Sequence, residues 1–203
     1  MDDIEALSKL FERFPGIGPR QAKRFVYFLL RADTAYRIEL LNKISSLSQG
    51  VMRCILCHRY IPKKTHDSHC LICVAPNRNK ALLMVVSKDA DIQAFEHAGM
   101  YNGLYFVLGG LIPLTEDVIP PKTAQYITER LQKNSAACEI IFALPVTTDG
   151  EHTRTILTLF LNELAQSHDI SISTLGRGLS TGSELEYADA ETLKNAFSSR
   201  RNS

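Results

Sequence analysis

Apolar residues near the start of the chain recur at the spacing of amphipathic helices. Ile4, Leu7 and Leu10 lie three residues apart, and the pattern returns with Phe25 and Phe28 after a cluster of Gly and Pro. Because Gly and Pro interrupt helices, the pattern predicts two helices joined by a tight turn. A third helix is predicted over residues 34–47, closed by a glycine at position 50.

The pattern changes twice after residue 50. Residues 51–75 have almost no periodicity and contain four of the five cysteines. From residue 81, apolar runs of strand length alternate with helix-length segments, which is typical of a parallel sheet covered on both faces. The predicted strands are 81–86, 103–108, 138–144 and 170–175, and helices are predicted at 89–99, up to Lys133, at 151–166 and at 191–197.

Composition indicates an ordinary globular protein. The 203 residues are 45% hydrophobic and 22% charged. No apolar run approaches the roughly 20 residues of a membrane-spanning helix, and the first residues, MDDIEALSKLF, are acidic and amphipathic, unlike a secretory signal. We therefore expect a cytoplasmic protein without a membrane partner.

The charges are unevenly distributed along the chain. The net charge is +1, yet residues 1–80 hold 14 Lys and Arg against 7 Asp and Glu, and residues 81–203 hold 9 against 15. A basic first part and an acidic second part indicate two modules, the first facing a polyanion such as nucleic acid. The alternative is chance segregation of charges on solvated surfaces.

The turn between the first two helices reads FPGIGPRQAKRF, from Phe14 to Phe25. Gly16 and Gly18 permit left-handed backbone or close approach, and Pro19 suits the first turn of the second helix. The free N–H groups of that helix start attract anions, so a phosphate can bind beside Gly18.

Three basic residues follow this helix start. Arg20 and Arg24 are four residues apart and share one helix face with which they can contact successive phosphates, and Lys23 lies beside them. The whole pattern resembles the helix-hairpin-helix of DNA repair proteins, which predicts sequence-independent contact with the DNA backbone. The alternative is a helical hairpin whose basic side chains are only solvated.

Four cysteines are spaced as two pairs: Cys54-x2-Cys57 and, after twelve residues, Cys70-x2-Cys73. Two such pairs bring four thiolates together tetrahedrally, which predicts one structural zinc ion with no open position for catalytic water. A disulfide pair is disfavoured in the cytoplasm, and an iron–sulfur cluster fits the spacing less well. So short a segment, with few apolar residues, depends on its metal to fold.

The segment also contains histidines and basic residues that allow more than one interpretation, and one further cysteine lies outside it. His58, His66 and His69 are less favoured substitute ligands for the metal. The remaining cysteine, Cys138, lies in an apolar run and is predicted to be a core residue. Several basic residues make the segment locally basic, which helps to hold DNA or is solvated surface: Arg53, Arg59, Lys63, Lys64, Arg78 and Lys80.

Acidic residues follow two of the predicted strands. Asp89 and Asp91 come shortly after the first strand, together with Ser87, and Asp149 and Glu151 follow the third. Because the carboxyl ends of parallel strands meet at one edge, these carboxylates could bind a hard divalent cation such as magnesium. The alternative is that they cap and stabilise the helices that begin there.

Taken together, the chain resembles the RecR family of bacterial recombination mediators. The resemblance is carried by FPGIGPRQAKRFVYFLL, the four-cysteine pattern, VVSKDADIQAFEHAGMYNGLYFVLGGLIPL, DGEHT and RGLSTGSELEYADAETLKNAF, in this order over nearly the whole chain. It implies a multidomain α/β protein: a helix-hairpin-helix in residues 1–50, a four-cysteine zinc finger in 51–80, a Toprim domain in 81–175 and an assembly segment in 176–203.

The resemblance also implies a task. Such proteins form dimers and ring-like tetramers that encircle DNA at the nucleoid, and with RecO and RecF they help to load RecA onto single-stranded or gapped DNA. Family members usually carry Glu where this chain has Ser87, and a hydroxyl cannot serve as the acid/base of a Toprim enzyme. We therefore expect a non-enzyme, with a metal-dependent Toprim nuclease as the alternative. Asp91, Asp149 and Glu151 match acidic family positions, which implies weak metal binding or partner contact.

Overall fold

The computed structural model describes residues 2–63, 68–134, 136–176, 184, 186, 188 and 190–198. The chain forms two compact units, Met1–Val51 and Met52–Ser203. Within the described residues, no helix is both long and apolar enough to cross a membrane.

The first unit consists of three helices, α1 (Asp3–Phe11), α2 (Pro19–Arg31) and α3 (Thr34–Gly50). The side chain of Asp2 caps α1 by accepting the N–H of Glu5 at 2.7 Å. The two predicted helices and their turn are confirmed. α3 extends past its predicted end, and Gly50 is its last residue rather than a left-handed cap, because the chain passes directly into an extended Val51.

The pairing of α1 with α2 rests on small and aromatic side chains. Ala22 and Val26 are buried on α2, and the rings of Phe11 and Phe25 meet edge to face with centroids 5.6 Å apart. This packing turns the opposite face of α2 towards solvent.

The second unit begins with a small island that holds the cysteines. It contains two short paired strands, β1 (Val51–Arg53) and β2 (Tyr60–Pro62), and one helical turn, α4 (Leu71–Val74). The sequence pattern did not predict these elements, because they are too short to show a period.

After the island, the part of the second unit that the structure describes contains a four-stranded parallel sheet, as predicted, together with four helices. Its order is β4-β3-β5-β6, so the first strand of the sheet is central. The strands are β3 (Asn79–Val86), β4 (Gly103–Val107), β5 (Glu139–Ala143) and β6 (Ser171–Thr174), and the helices are α5 (Asp89–Ala98), α6 (Pro121–Gln132), α7 (Thr148–Ser167) and α8 (Ala190–Ser198).

Both faces of the sheet are buried, which explains why the strands read as continuous apolar runs. On one face Leu83 and Phe106 pack with residues of α6 and α7, and on the other Met84 and Tyr105 pack with Ile92 of α5. α7 begins three residues before its predicted start, since the Thr147 hydroxyl accepts the N–H of Gly150 at 3.2 Å and caps the helix there.

Two hydrogen bonds fasten the island to the sheet. The N–H of Val107, at the end of β4, donates to the carbonyl of Cys57 at 2.8 Å. The N–H of Tyr60 donates to Asp89 Oδ1, at the start of α5, at 2.7 Å. The island therefore covers the carboxyl end of the edge strand β4.

Candidate functional site: a nucleic-acid interface and a metal centre

The turn before α2 leaves a helix start without a side-chain cap. Gly16 has a φ of +76°, a left-handed conformation that favours glycine. Gly18 is the N-cap in extended conformation and makes no side-chain hydrogen bond, and Pro19, which has no N–H, is the first helical residue. The N–H groups of the next residues thus point out of the helix without a cap, as the sequence predicts.

The three predicted basic side chains lie close to this helix start. Arg20, Lys23 and Arg24 are all exposed. Within the described residues none of them forms an ion pair, and Arg24 makes one weak hydrogen bond, at 3.4 Å, to the side chain of Gln21. The unpaired charges and the positive helix end suit contact with phosphates.

A groove of about 500 Å³ runs between the three helices of the first unit and is lined mainly by apolar side chains. Leu10, Leu41 and Ile44 line it and are 58%, 63% and 62% exposed. α3 has no buried residue at all. Single-chain proteins rarely leave so continuous an apolar surface open to water. The sequence showed the apolar positions but not that they remain uncovered.

The four cysteines converge on one point, as their spacing predicts. All four sulfurs lie within 4.8 Å of one another, and those of Cys57 and Cys70 are 3.5 Å apart. In a tetrahedral zinc–thiolate site with bonds of about 2.3 Å, neighbouring sulfurs are about 3.8 Å apart. The cluster therefore fits one metal ion, and four thiolates complete its shell.

Backbone groups fix the positions of these sulfurs. The N–H of Cys70 donates to Cys54 Sγ at 3.3 Å, and the N–H of His58 donates to the carbonyl of Cys54 at 2.9 Å. Hydrogen bonding with the Cys57 thiol lowers the pKa of Cys54, and hydrogen bonding with Cys54 raises the pKa of Cys57. The thiolate is the form of cysteine that binds a metal ion.

The histidines of the segment lie outside this cluster wherever the structure describes them. Neither His58 nor His69 belongs to the converging group, and His66 falls outside the described residues. The ring of His58 instead stacks on Tyr126 of α6 with centroids 4.1 Å apart. No sequence pattern signals this contact, since the two residues are far apart in the chain.

The acidic residues at the sheet edge serve local structure. Asp91 Oδ2 accepts the Ser87 hydroxyl at 2.7 Å and the N–H of Lys88 at 3.0 Å, so it caps the start of α5. Glu151 Oε2 accepts two hydrogen bonds from Arg154, at 3.1 and 3.2 Å. The cap made by Asp91 is that of the capping alternative, whereas Glu151 pairs with Arg154 of its own helix and Asp89 accepts the N–H of Tyr60 in the island.

Asp149 lies exposed in the first turn of α7. Gly150 follows it at a point where a Cβ would lie 1.9 Å from the carbonyl oxygen of Pro145, so only glycine fits there. In the part of the chain that the structure describes, the four cysteines are the single group of three or more potential ligands that converges as a metal site requires.

The fifth cysteine is not in the core, and the sequence prediction for it was wrong. Cys138 is exposed. β5 begins one residue later, at Glu139, so Cys138 lies just before the strand.

Comparison with known proteins relates the chain to one family. A family model described as the Toprim domain matches residues 81–175, which confirms the predicted class of the domain that contains the four-stranded sheet. A second model, described as RecR, C-terminal, matches residues 178–201.

Curated relatives align over nearly the full chain. The Recombination protein RecR of Bifidobacterium adolescentis is 35% identical over 199 residues, which are 98% of this chain and 95% of the relative. Proteins of the same name from Amoebophilus asiaticus and Neorickettsia sennetsu are 32% and 31% identical over 197 and 198 residues; these cover 97% and 98% of this chain, and 94% and 97% of the relatives. The similarity therefore includes both units.

Proposed function

The chain belongs to the RecR family of recombination proteins, and we propose that it is a non-enzymatic recombination mediator that binds DNA during repair. The observation that carries the proposal is the uncapped start of α2 with its unpaired basic side chains. Such a surface recognises phosphate and charge, not base sequence. A mediator that acts wherever DNA is damaged needs this kind of contact.

We assign the DNA contact to two sets of groups. Backbone near Gly16 and Gly18 lets a strand approach the helix start, where free N–H groups bind one phosphate. Arg20, Lys23 and Arg24 then neutralise neighbouring phosphates and release counterions. Single-stranded and duplex DNA both offer such phosphates.

We propose that the working form is a homodimer or homotetramer that encircles DNA. The open apolar groove of the first unit supports self-association, because a second copy would remove its exposed side chains from water. Several α2 surfaces on one ring would bind one strand together, which raises affinity without a new contact. Residues 176–203 are proposed to contribute to the same assembly.

The metal proposed for the four cysteines is zinc. Four thiolates at this separation suit a tetrahedral structural site, and no catalytic position remains open. Along the chain we propose four parts: a helix-hairpin-helix in residues 1–50, a zinc finger in 51–80, the Toprim domain in 81–175 and the assembly segment in 176–203.

A Toprim enzyme is the less favoured reading, since Asp91 and Glu151 are engaged in a cap and in pairing with Arg154. We propose that the Toprim edge contacts partners instead, with RecO and RecF as the expected ones, and that the complex helps to load RecA onto gapped DNA at the nucleoid, in the cytoplasm. Magnesium-dependent DNA cleavage that is lost in Asp149→Asn would contradict the non-enzymatic reading.

The test is DNA binding by the zinc-loaded protein, measured by fluorescence anisotropy with labelled oligothymidylate over a salt series. Arg20→Ala with Arg24→Ala should weaken binding and reduce the slope of log K against log salt by about 1.4, since each phosphate contact to a single strand contributes about 0.7. The control is Arg31→Ala with Lys43→Ala, which removes the same charge from exposed positions of the same unit, in the last turn of α2 and on α3. Equal affinity of the two double variants at low salt would refute the assignment.

A further inference from the structure

An electropositive cavity lies in the Met52–Ser203 unit. It measures about 330 Å³ and opens at the carboxyl end of β4, between the cysteine island and α6. Arg53 and His58 line it from the island, and Lys122, Thr123 and Tyr126 line it from α6. None of its lining residues is acidic, so the two cationic side chains face a space without a counter-charge.

The guanidinium of Arg53 is held in a defined position at this cavity. Its Nη2 donates to the Tyr60 hydroxyl at 3.2 Å, and its centre lies 4.9 Å from the Tyr60 ring. A Cβ at Gly109 would lie 3.7 Å from both Nη atoms, so the guanidinium stands over the glycine that follows β4. Within the described residues, Arg53 forms no ion pair.

The start of α6 adds donors to the same cavity. The N-cap is Pro120, which provides no side-chain hydrogen bond, and the helix begins with a second proline. The first free N–H groups of this twelve-residue helix are therefore those of Lys122 and Thr123, both of which line the cavity. In the described structure the Lys122 ammonium has no carboxylate partner.

The ring of His58 also lines the cavity. Its Nδ1 is buried and has no hydrogen-bond partner in the described structure. The backbone of His58 has a φ of +62°, which is unfavourable for a residue with a side chain. The fold holds this imidazole at the cavity in spite of that cost, between Tyr126 and Phe106.

We propose that this cavity binds a phosphate group, from a free nucleotide or from a DNA strand. A guanidinium, an ammonium, two N–H groups and the Thr123 hydroxyl supply more donors than the two oxygens of a carboxylate can use. Arginine and a helix start together are typical of phosphate sites. A volume of 330 Å³ equals that of roughly ten waters at about 30 Å³ each, which leaves room for a phosphate and its attached sugar.

This site is independent of the proposed DNA contact on α2, because it uses no residue of the first unit. The experiment therefore uses zinc-loaded full-length protein carrying Arg20→Ala and Arg24→Ala. Calorimetric titrations compare thymidine monophosphate, thymidine and inorganic phosphate. Lys122→Ala is tested in this background, and Lys133→Ala, the same change at the far end of α6, is its control.

Thymidine monophosphate should bind at least tenfold more tightly than thymidine, because a charge-assisted hydrogen bond contributes at least that factor. Lys122→Ala should weaken phosphate binding about tenfold, and Lys133→Ala should leave it unchanged. Arg53→Gln should act like Lys122→Ala. Since Arg53 neighbours a cysteine of the cluster, the exposed Lys122 provides the decisive variant, and thermal melting checks that both variants fold.

A competition experiment separates the two sources of phosphate. An oligothymidylate with a 5′-hydroxyl end that displaces the monophosphate identifies backbone phosphate as the ligand, and failure to displace it identifies the free nucleotide; both results support the site. Equal affinity for thymidine and its monophosphate would overturn the proposal, as would equal binding by the Lys122 and Lys133 variants. Either result leaves the α2 assignment untouched.

Discussion

Replacement of Gly18 by serine should weaken DNA binding without lowering the stability of the protein. Gly18 has φ −88° and ψ 172°, an extended backbone that any residue adopts. No atom lies within 4 Å of a Cβ built there. Serine therefore fits without strain, and its hydroxyl can accept a free N–H of the first turn, which glycine cannot do.

The size of both effects follows from this geometry. Serine is a better N-cap than glycine by a few tenths of a kcal/mol, so the free energy of unfolding should rise slightly or stay constant. The same hydroxyl occupies the N–H groups that bind phosphate. Loss of one charge-assisted hydrogen bond costs about 1.5–3 kcal/mol, which corresponds to roughly a tenfold to hundredfold loss of DNA affinity.

Gly16→Ala is the matched comparison. Its φ of +76° is left-handed, and no atom lies within 4 Å of a Cβ there, so the cost is backbone strain alone. That strain should lower stability by about 1–2 kcal/mol. Urea unfolding followed by circular dichroism and anisotropy at low salt give the two quantities for each variant. Wild-type DNA affinity in Gly18→Ser would refute the role of the helix start.

Three further outcomes test other parts of the structure. Chelation of the metal, or Cys70→Ser, should lower the melting temperature and loosen assembly, because the island has little apolar core of its own; an unchanged melting profile would contradict a structural metal. Arg78 donates to Glu96 and lowers the pKa of that carboxyl, so the pair stabilises the fold above about pH 4.3 and loses its effect as pH falls through the lowered pKa. The free energy of unfolding of Glu96→Gln should therefore depend less on pH in that range than that of the wild type, and parallel plots of the two free energies against pH would count against the pair. Arg130 is 4% exposed, and its Nε and Nη2 have no acceptor in the described structure. The free energy of unfolding of Arg130→Met should therefore equal that of the wild type or exceed it by up to about 2 kcal/mol, and a lower value in urea unfolding would show that the guanidinium has a favourable partner.

Patterns within short stretches were sufficient for much of this protein. The spacing Cys54-x2-Cys57 and Cys70-x2-Cys73 predicted that four sulfurs meet, because each pair is brought together by a local turn and one metal can join the pairs. The apolar runs predicted a parallel sheet, since a strand buried on both faces has no polar face to show. The Gly and Pro of the first turn predicted where α2 begins.

Packing between distant parts of the chain decided the rest. Asp91 could serve a metal site or a helix cap as far as sequence goes, and its bond to Ser87 depends on how β3 passes into α5. Cys138 is exposed and lies one residue before β5, a boundary that an apolar run does not mark. The cavity lined by Arg53 and Lys122 exists only because the island folds against α6. Periodicity records which side of an element is apolar; what covers that side depends on contacts between residues far apart in the chain, which only the tertiary structure supplies.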